Sequence, residues 1–566
     1  MPRHPPASGL HSRRAGLYSP DTIEGEHTVK RRTAWMVGVA IVASVAAVAG
    51  AVVLGASTMA PPPAPAIAVV PQPVDVRGVR GDAFRLGPDA RIAMDADPVE
   101  AGAVAQQLAT LLRPASGFDV PIVHGEARPG DIALVLADGE APEGHGAEGY
   151  RLKADEHGVR IGASTAAGLS NGLQTLRQLL PASVESGQPL ADPLEVVAVE
   201  IADYPRFAYR SAMLDVARHF FPVAEVERFI DEIAMLKINT LHMHLANDQG
   251  WRIEIEGWPL LTEVGGLYEV DGGPGGFYTQ DEFAGIIDYA AERNVTIVPE
   301  ANMPGHTHAA LTAYSELTCD GVAREPHTLA AGGGSSLCPT SADAERMAED
   351  VIRQLAALTP GPYLHLGGDE VSGYTEEEYV YFMGLTAGVA AEEGKTVIGW
   401  QELGASDSLP IGTIGQYWGT TEPNELGTEL MHSFLNQGGA IIMSPPDVAY
   451  LDQVYPDDTS LGLDWAGPTD VAEAYGWDPA LVFEGVGDDQ VLGIEAPLWT
   501  ETIATIEDIE FMAFPRLGAL AEIGWSPRPA DGADRDFDEF APRLVDFLGH
   551  FEALGVNFHR SSDLPW

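Results

Sequence analysis

Two adjacent carboxylates, Asp369 and Glu370, close the apolar run 363–367 (YLHLG) behind His365, Gly367 and Gly368. An isolated Asp-Glu pair is ordinarily a solvated turn. Here it ends a strand-like run and follows two glycines, which leave room for a ligand or for backbone to approach closely, and that context points to a reactive pair. Adjacent carboxylates repel, so an ionised Asp369, together with burial, is expected to raise the pKa of Glu370 and keep it protonated as a general acid. Polar and aromatic residues also follow the other apolar runs. Arg218 and His219 come after 209–215, Asn247, Asp248 and Trp251 after 239–245, and Glu300 closes 295–300 with Asn302 and His306 after it. Trp400 and Trp418 close 396–400 and 413–418, and Tyr450 with Asp452, and Trp499 with Glu501, follow 440–444 and 492–496. A single tryptophan is more often core than ligand wall. Three at run ends, with Arg218, Asp452 and Glu501 able to bind hydroxyls, read together as a sugar site, because flat indole faces suit the apolar faces of a pyranose ring.

Such a set needs a scaffold that gathers the ends of eight runs. From Phe207 onward the runs alternate with amphipathic helical patterns, among them 223–236, 279–293 and 342–357, which implies a parallel sheet covered by helices. Eight strand-and-helix units match a (β/α)8 barrel with enlarged loops better than an open doubly wound sheet, and barrel sites lie at the C-terminal strand ends. The fold class is therefore α/β, with a catalytic (β/α)8 barrel over 207–566 preceded by a small α+β domain over 69–206. That first domain shows short strands at 132–136 and 159–161 and a helix over 165–180. It gathers no His, Cys or paired carboxylates, and a packing or positioning role is expected of it. No GxGxxG or GxxxxGK[ST] follows any strand, which lowers a nucleotide-binding reading.

Composition narrows the partners. Acidic residues outnumber Lys plus Arg by 83 to 32, a formal charge of −51, so the folded part is a poor match for nucleic acid or an anionic lipid surface. Neutral ligands suit it better, and no cofactor is implied. Residues 33–56 carry no charge and are long enough to span a bilayer core of about 30 Å. Before them, Arg3, Arg13, Arg14, Lys30, Arg31 and Arg32 face only Asp21, Glu24 and Glu26. The expectation is a cytoplasmic basic tail over 1–32, a signal-anchor over 33–56, a Pro-rich linker over 57–68 and an extracellular catalytic part. A signal peptide cleaved near Ala60 is the alternative. Cys319 and Cys338, the only cysteines, fit one disulfide in an exported chain, with two unpaired thiols as the other reading. No CxxC or HExxH spacing accompanies them, so no metal site is expected.

An ordered set of stretches then resembles a known family. RSAMLDVARHF (210–220), LHMHLANDQGWRIEI (241–255), EANMPGHTHA (300–309), YLHLGGDE (363–370), GWQEL (399–403), QYWG (416–419), SPPDVAYLD (444–452), DWAG (464–467) and EAPLWTE (495–501) resemble the family 20 glycoside hydrolases, the β-N-acetylhexosaminidases. The resemblance implies a retaining hydrolysis of terminal N-acetylhexosamine, from glycans or chitooligosaccharides, in which the substrate's own acetamido oxygen attacks C1 to give an oxazolinium ion, an exception to the two-carboxylate scheme. It implies that Glu370 is the general acid and base, that Asp369 orients the acetamido N–H, and that Tyr450 binds the acetamido oxygen. Arg218, Glu501 and Asp452 would hold ring hydroxyls, Trp400, Trp418 and Trp499 would line the pocket, and Trp465 would stand near its mouth. Where the family commonly has Asp-Asp-Gln, this chain has Asn247-Asp248-Gln249. The first of those aspartates is expected to work with the histidine matching His306, so the resemblance leaves the pKa of Glu370 and the pH optimum open. A lacto-N-biosidase-like or processive chitin exo-enzyme and a surface glycan-binding protein on an inactivated barrel are the competing readings.

Overall fold

In a computed structural model of the protein, the described residues are 62–566 apart from 96, 145, 333, 457–458 and 530–533. The tail over 1–32 and the apolar stretch over 33–56 lie outside them. Among the described residues no helix is long and apolar enough to cross a membrane.

The eight runs become eight parallel strands: β1 (Tyr209–Asp215), β2 (Thr240–Ala246), β3 (Thr296–Ala301), β4 (Tyr363–His365), β5 (Thr396–Trp400), β6 (Ile414–Tyr417), β7 (Ile441–Met443) and β8 (Val491–Leu498). They close into a barrel, with β8 pairing back onto β1 from Tyr209 opposite Gly493 to Leu214 opposite Leu498. Every residue of β1 and β2 is buried, as expected of strands covered on both faces. Outside, the strands share one large apolar core with the surrounding helices. Inside, Tyr209, Val298, Ile398, Ile414 and Ile442 form a separate apolar layer. Beyond it, toward the C-terminal strand ends, the interior turns polar with His242, His244, Glu300, His365, Gln416 and Glu495, all buried. The helices start where their caps place them. Thr279 caps Gln280–Ala291 and Thr375 caps Glu376–Glu392, each in a reciprocal capping box with a glutamate three residues on. Cys319 and Cys338 are disulfide-bonded, 19 residues apart.

The preceding domain is a seven-stranded mixed sheet in the order Asp75–Gly78, Val199–Asp203, Tyr150–Asp155, Gly158–Ala163, Ile132–Leu136, Ile92–Asp95, Ile122–His124. Helices Pro98–Ser116 and Ala166–Leu179 share its core. It grips the barrel at the N-terminal ends of β1 and β2. Arg210 donates to both oxygens of Glu148, at 3.0 and 2.6 Å. Lys237, fully buried, pairs with Asp203 at 3.0 Å, and Trp525 donates to the same carboxylate at 3.0 Å. Removing one partner of a buried pair leaves a bare charge and costs about 3–5 kcal/mol, so this contact fixes the domain at the end of the barrel away from the loops that follow the strands.

Candidate active site

The expected residues converge at the C-terminal ends of the strands. Arg218, Asn247, His306, Asp369, Glu370, Trp400, Trp418, Tyr450, Asp452, Trp465, Trp499 and Glu501 all line one cleft of about 160 Å3, with Leu463 beside them. Its lining comes entirely from the barrel and its loops.

The floor is built by Glu300 at the end of β3. Its carboxylate accepts the Trp400 indole N–H at 3.0 Å, lies 3.1 Å from His242 Nε2, and bonds His244 Nδ1. His244 meets the Trp499 ring edge-on at 4.9 Å. The histidines beside Glu300 more than offset its burial and hold its carboxyl well below the usual range. Two pocket tryptophans are thus oriented by one buried charge. Glu495 accepts from His242 at 2.9 Å and from Gln416 at 2.6 Å. Burial pulls the His242 imidazole down, but its two carboxylate neighbours, Glu495 first, push it up to about 10.

Asp369 and Glu370 leave β4 through Gly367 and Gly368, both in the left-handed region at φ +71° and +94°. A Cβ at Gly367 would collide with Asn302, so the turn requires glycine there. Asn302 donates to Asp369 Oδ1 at 2.7 Å, and His306 Nε2 lies 3.5 Å from Asp369 Oδ2 and 3.4 Å from Glu370 Oε2. Burial pushes the Asp369 carboxyl up, but the His306 charge outweighs it and the net shift is downward. Reciprocally, His306 is held well above its ordinary value by Asp369 and Asp248 against the cost of burial. His306 and Glu370 are non-glycine residues at φ +53° and +48°, a strained backbone of the kind that gathers at functional sites.

Two expectations need correction. The Glu370 side chain is 61% exposed, so the burial invoked to keep it protonated is absent. It projects from a left-handed turn at the rim of the cleft. Asn247 does not stand behind His306. Its amide donates to His244 Nε2 at 2.8 Å and accepts the Asp248 N–H at 2.7 Å. The carboxylate facing His306 Nδ1, at 3.6 Å, is that of Asp248. The chain turns sharply after β2, so the second residue of the pair, not the first, points at the histidine, and the amide leaves the charge behind His306 intact.

At the closed end, Arg218 donates to Asp215 at 3.2 Å, approaches Glu501 at 3.5 Å and lies 4.8 Å over the Trp499 ring. Arg218 Nε and Glu501 Oε2 are buried without a hydrogen-bond partner, an arrangement that fits groups awaiting a ligand. Burial, and then the charge of Glu501, pushes Asp452 up to about 8. Burial raises Glu501 as well, against Arg218. The Tyr450 ring packs edge-on against Trp465 at 5.8 Å, and burial and then Asp452 hold its phenol well above 10, as a neutral donor. Trp465 is 53% exposed, at the mouth.

Four partners escaped the sequence reading. Asp215 ends β1 and orients Arg218, and its signal was a charge closing an apolar strand. Glu402, two residues after Trp400, accepts the Trp418 indole N–H at 3.0 Å and is pushed up to about 7 by burial and then by Asp369. The histidines of β2 were legible only as alternation, since LHMHL places both on one face of a strand.

The chain matches the family model described as glycosyl hydrolase family 20, catalytic domain, over residues 207–528, and that described as glycosyl hydrolase family 20, domain 2, over 66–204. A β-N-acetylhexosaminidase of Cellulomonas fimi is 37% identical over 503 residues, 89% of this chain and 98% of that one. The structure of a family 20 β-N-acetylhexosaminidase from Streptomyces coelicolor A3(2) superposes with a TM-score of 0.84 at 44% identity, covering 89% of this chain and all of that one. A mutant Streptomyces plicatus β-hexosaminidase in complex with its product GlcNAc gives 0.84 at 45% identity over 89% of this chain and 99% of that one.

Proposed function

The chain belongs to glycosyl hydrolase family 20 as a β-N-acetylhexosaminidase, and on that premise we propose that it removes terminal, non-reducing N-acetylglucosamine or N-acetylgalactosamine from glycans or chitooligosaccharides by a retaining, substrate-assisted mechanism. One observation carries the reading: an aromatic recess made by Trp400, Trp418, Trp499 and Tyr450 has an acceptor carboxylate, Asp369, among its lining residues. An acetamido group needs apolar walls for its methyl, an acceptor for its N–H and a donor for its oxygen. The tryptophans, Asp369 and the neutral Tyr450 phenol supply these. Held there, the acetamido oxygen attacks C1 as an intramolecular nucleophile. Asp369, ionised beside His306, stabilises the positive charge that develops on the acetamido nitrogen. Glu370, at the rim where an aglycone leaves, protonates the departing oxygen and afterwards takes a proton from water. Arg218, with Asp215 behind it, holds O3 and O4, Glu501 holds O4 and O6, and Asp452 holds O6. These buried groups close the cleft at the non-reducing end, which favours removal of one sugar at a time.

The proposal includes the location. The uncharged stretch 33–56 behind a basic tail supports a single membrane anchor with the barrel outside the cell. Protease treatment of intact cells should then release the catalytic domain, whereas a mature N-terminus near Ala60 would replace the anchor with secretion.

The mechanism is tested by comparing aryl N-acetyl-β-glucosaminide with the plain aryl β-glucoside. Negligible turnover of the glucoside, and β-anomer as the first product by proton NMR, are expected. Efficient glucoside cleavage, initial α-anomer, or a glycosyl ester trapped on a protein carboxylate would overturn the substrate-assisted route.

A further inference from the structure

Asn302, just past β3, is 1% exposed, and its amide has only one self-consistent orientation. The Gly368 N–H points at one end of it, at 3.0 Å, so that end is the oxygen. The other end is therefore the NH2, and it donates to Asp369 Oδ1 at 2.7 Å. A hydrogen on Oδ1 would confront that N–H, so the arrangement admits Asp369 only as an acceptor there. The amide cannot turn away easily, because it lies packed against the backbone of Gly367.

We propose that Asn302 is a positioning residue that holds Asp369 in the orientation and proton-free state the reaction needs. The proposal rests on the role given to Asp369 above. Other groups face the same carboxylate. His306 Nε2 lies 3.5 Å from Oδ2 with Asp248 behind it, and Glu370 adjoins. Glu300, and Glu402 where it is ionised, place negative charge nearby, Arg218 places positive charge, and the Tyr379 and Tyr450 phenols lie within electrostatic reach, the former donating to the Gly368 carbonyl at 2.8 Å. Glu300, Glu370 and, once it is ionised, Glu402 favour a proton on Asp369, while His306 and Arg218 oppose it. Asn302 opposes it as well, and unlike His306 it does not titrate. A carboxylate at 302 would put two acids within hydrogen-bonding distance, where one proton is shared between them.

The test is Asn302→Asp, which exchanges NH2 for oxygen at nearly constant volume. The assay is kcat against pH on p-nitrophenyl N-acetyl-β-D-glucosaminide, whose leaving group needs little protonation, so that the acid limb reports Asp369 more than Glu370. The acid limb should move up by about one unit or more, a loss of about tenfold in kcat per unit on the acid side, with KM changed much less. Asn302→Ala, which removes the donor without adding charge, should lower kcat at every pH more than it alters KM. An acid limb that coincides with that of the wild type, or an undiminished kcat in Asn302→Ala, would overturn the assignment. If the wild type turned over the plain glucoside as well as the N-acetyl substrate, the role of Asp369 itself would fall. An unmoved limb on an enzyme that requires the acetamido group removes only the role of Asn302.

Discussion

Replacing Tyr450 by phenylalanine isolates one hydrogen bond. The ring is buried and held by Trp465 at 5.8 Å and Trp499 at 6.5 Å, so phenylalanine keeps the wall and loses only the hydroxyl. The phenol is neutral throughout the working range, and a neutral hydrogen bond is worth about 0.5–1.5 kcal/mol, or roughly 2- to 13-fold in rate. Releasing the attacking oxygen also loosens its aim at C1, and a small misplacement of a reacting atom costs up to about 100-fold. The expected result of Tyr450→Phe is a fall in kcat of about 10- to 100-fold on the N-acetyl substrate, with a smaller change in KM. Steady-state kinetics on an aryl N-acetyl-β-glucosaminide measure both, and a denaturant melt checks that stability falls by no more than about 1–2 kcal/mol. A rise in KM with kcat unchanged would mean that the hydroxyl serves only ground-state binding. That outcome would refute its part in aligning the nucleophile.

Further outcomes follow from the same geometry. Glu370→Gln should lose most activity on substrates with poor leaving groups and much less on activated aryl glycosides, since protonation matters only for the former; equal losses on both would remove it as the acid. Asp248→Asn should move the alkaline limb of kcat/KM to lower pH, because it takes away a charge that helps His306 hold its proton, and a static limb would show that Asp248 does not support that histidine. Asp452, raised to about 8, and Glu402, raised to about 7, hold protons in the folded protein at pH values where the unfolded chain has lost them. Their stabilising contribution is complete below the unfolded carboxyl pKa of about 4 and disappears as pH rises through about 7–8. The decline in Tm between about pH 5 and 8.5 should therefore be smaller in Asp452→Asn than in the wild type; an equal decline would mean that Asp452 is ionised in the fold.

The barrel was legible because parallel strands covered on both faces read as mainly apolar runs. β1 starts at Tyr209 and ends at Asp215, and β5 spans Thr396–Trp400, as their runs suggest. The site was legible because each polar or aromatic group sits at or just past the end of such a run, where a barrel has little use for it as core. Side-chain direction beyond the strand end was not legible. Asn247 and Asp248 are neighbours in sequence, yet one serves His244 and the other His306, and spacing cannot separate them once the chain turns. Exposure was also out of reach. The glycines before Asp369 suggest a buried corner, but the turn at Glu370 carries its side chain out to the rim. Glu402 was missed because a glutamate two residues past a tryptophan looks like ordinary surface until Trp418, from the next strand, is found donating to it.

The grip of the first domain on β1 and β2 bears on how the chain comes to fold. Asp203 and Glu148 are synthesised before Arg210 and Lys237, so the receptacles for two barrel cations exist by the time those cations emerge, and domains form largely as units in the order of synthesis. The first two barrel strands can then dock on a finished surface, which spares them an unaided search for partners that arrive hundreds of residues later. A chain beginning at Phe207 would lack those acceptors. Lys237, just before β2 and beside Trp525, would be left without its carboxylate partner, and such a chain should accumulate as an open, aggregation-prone barrel although its catalytic residues are all present.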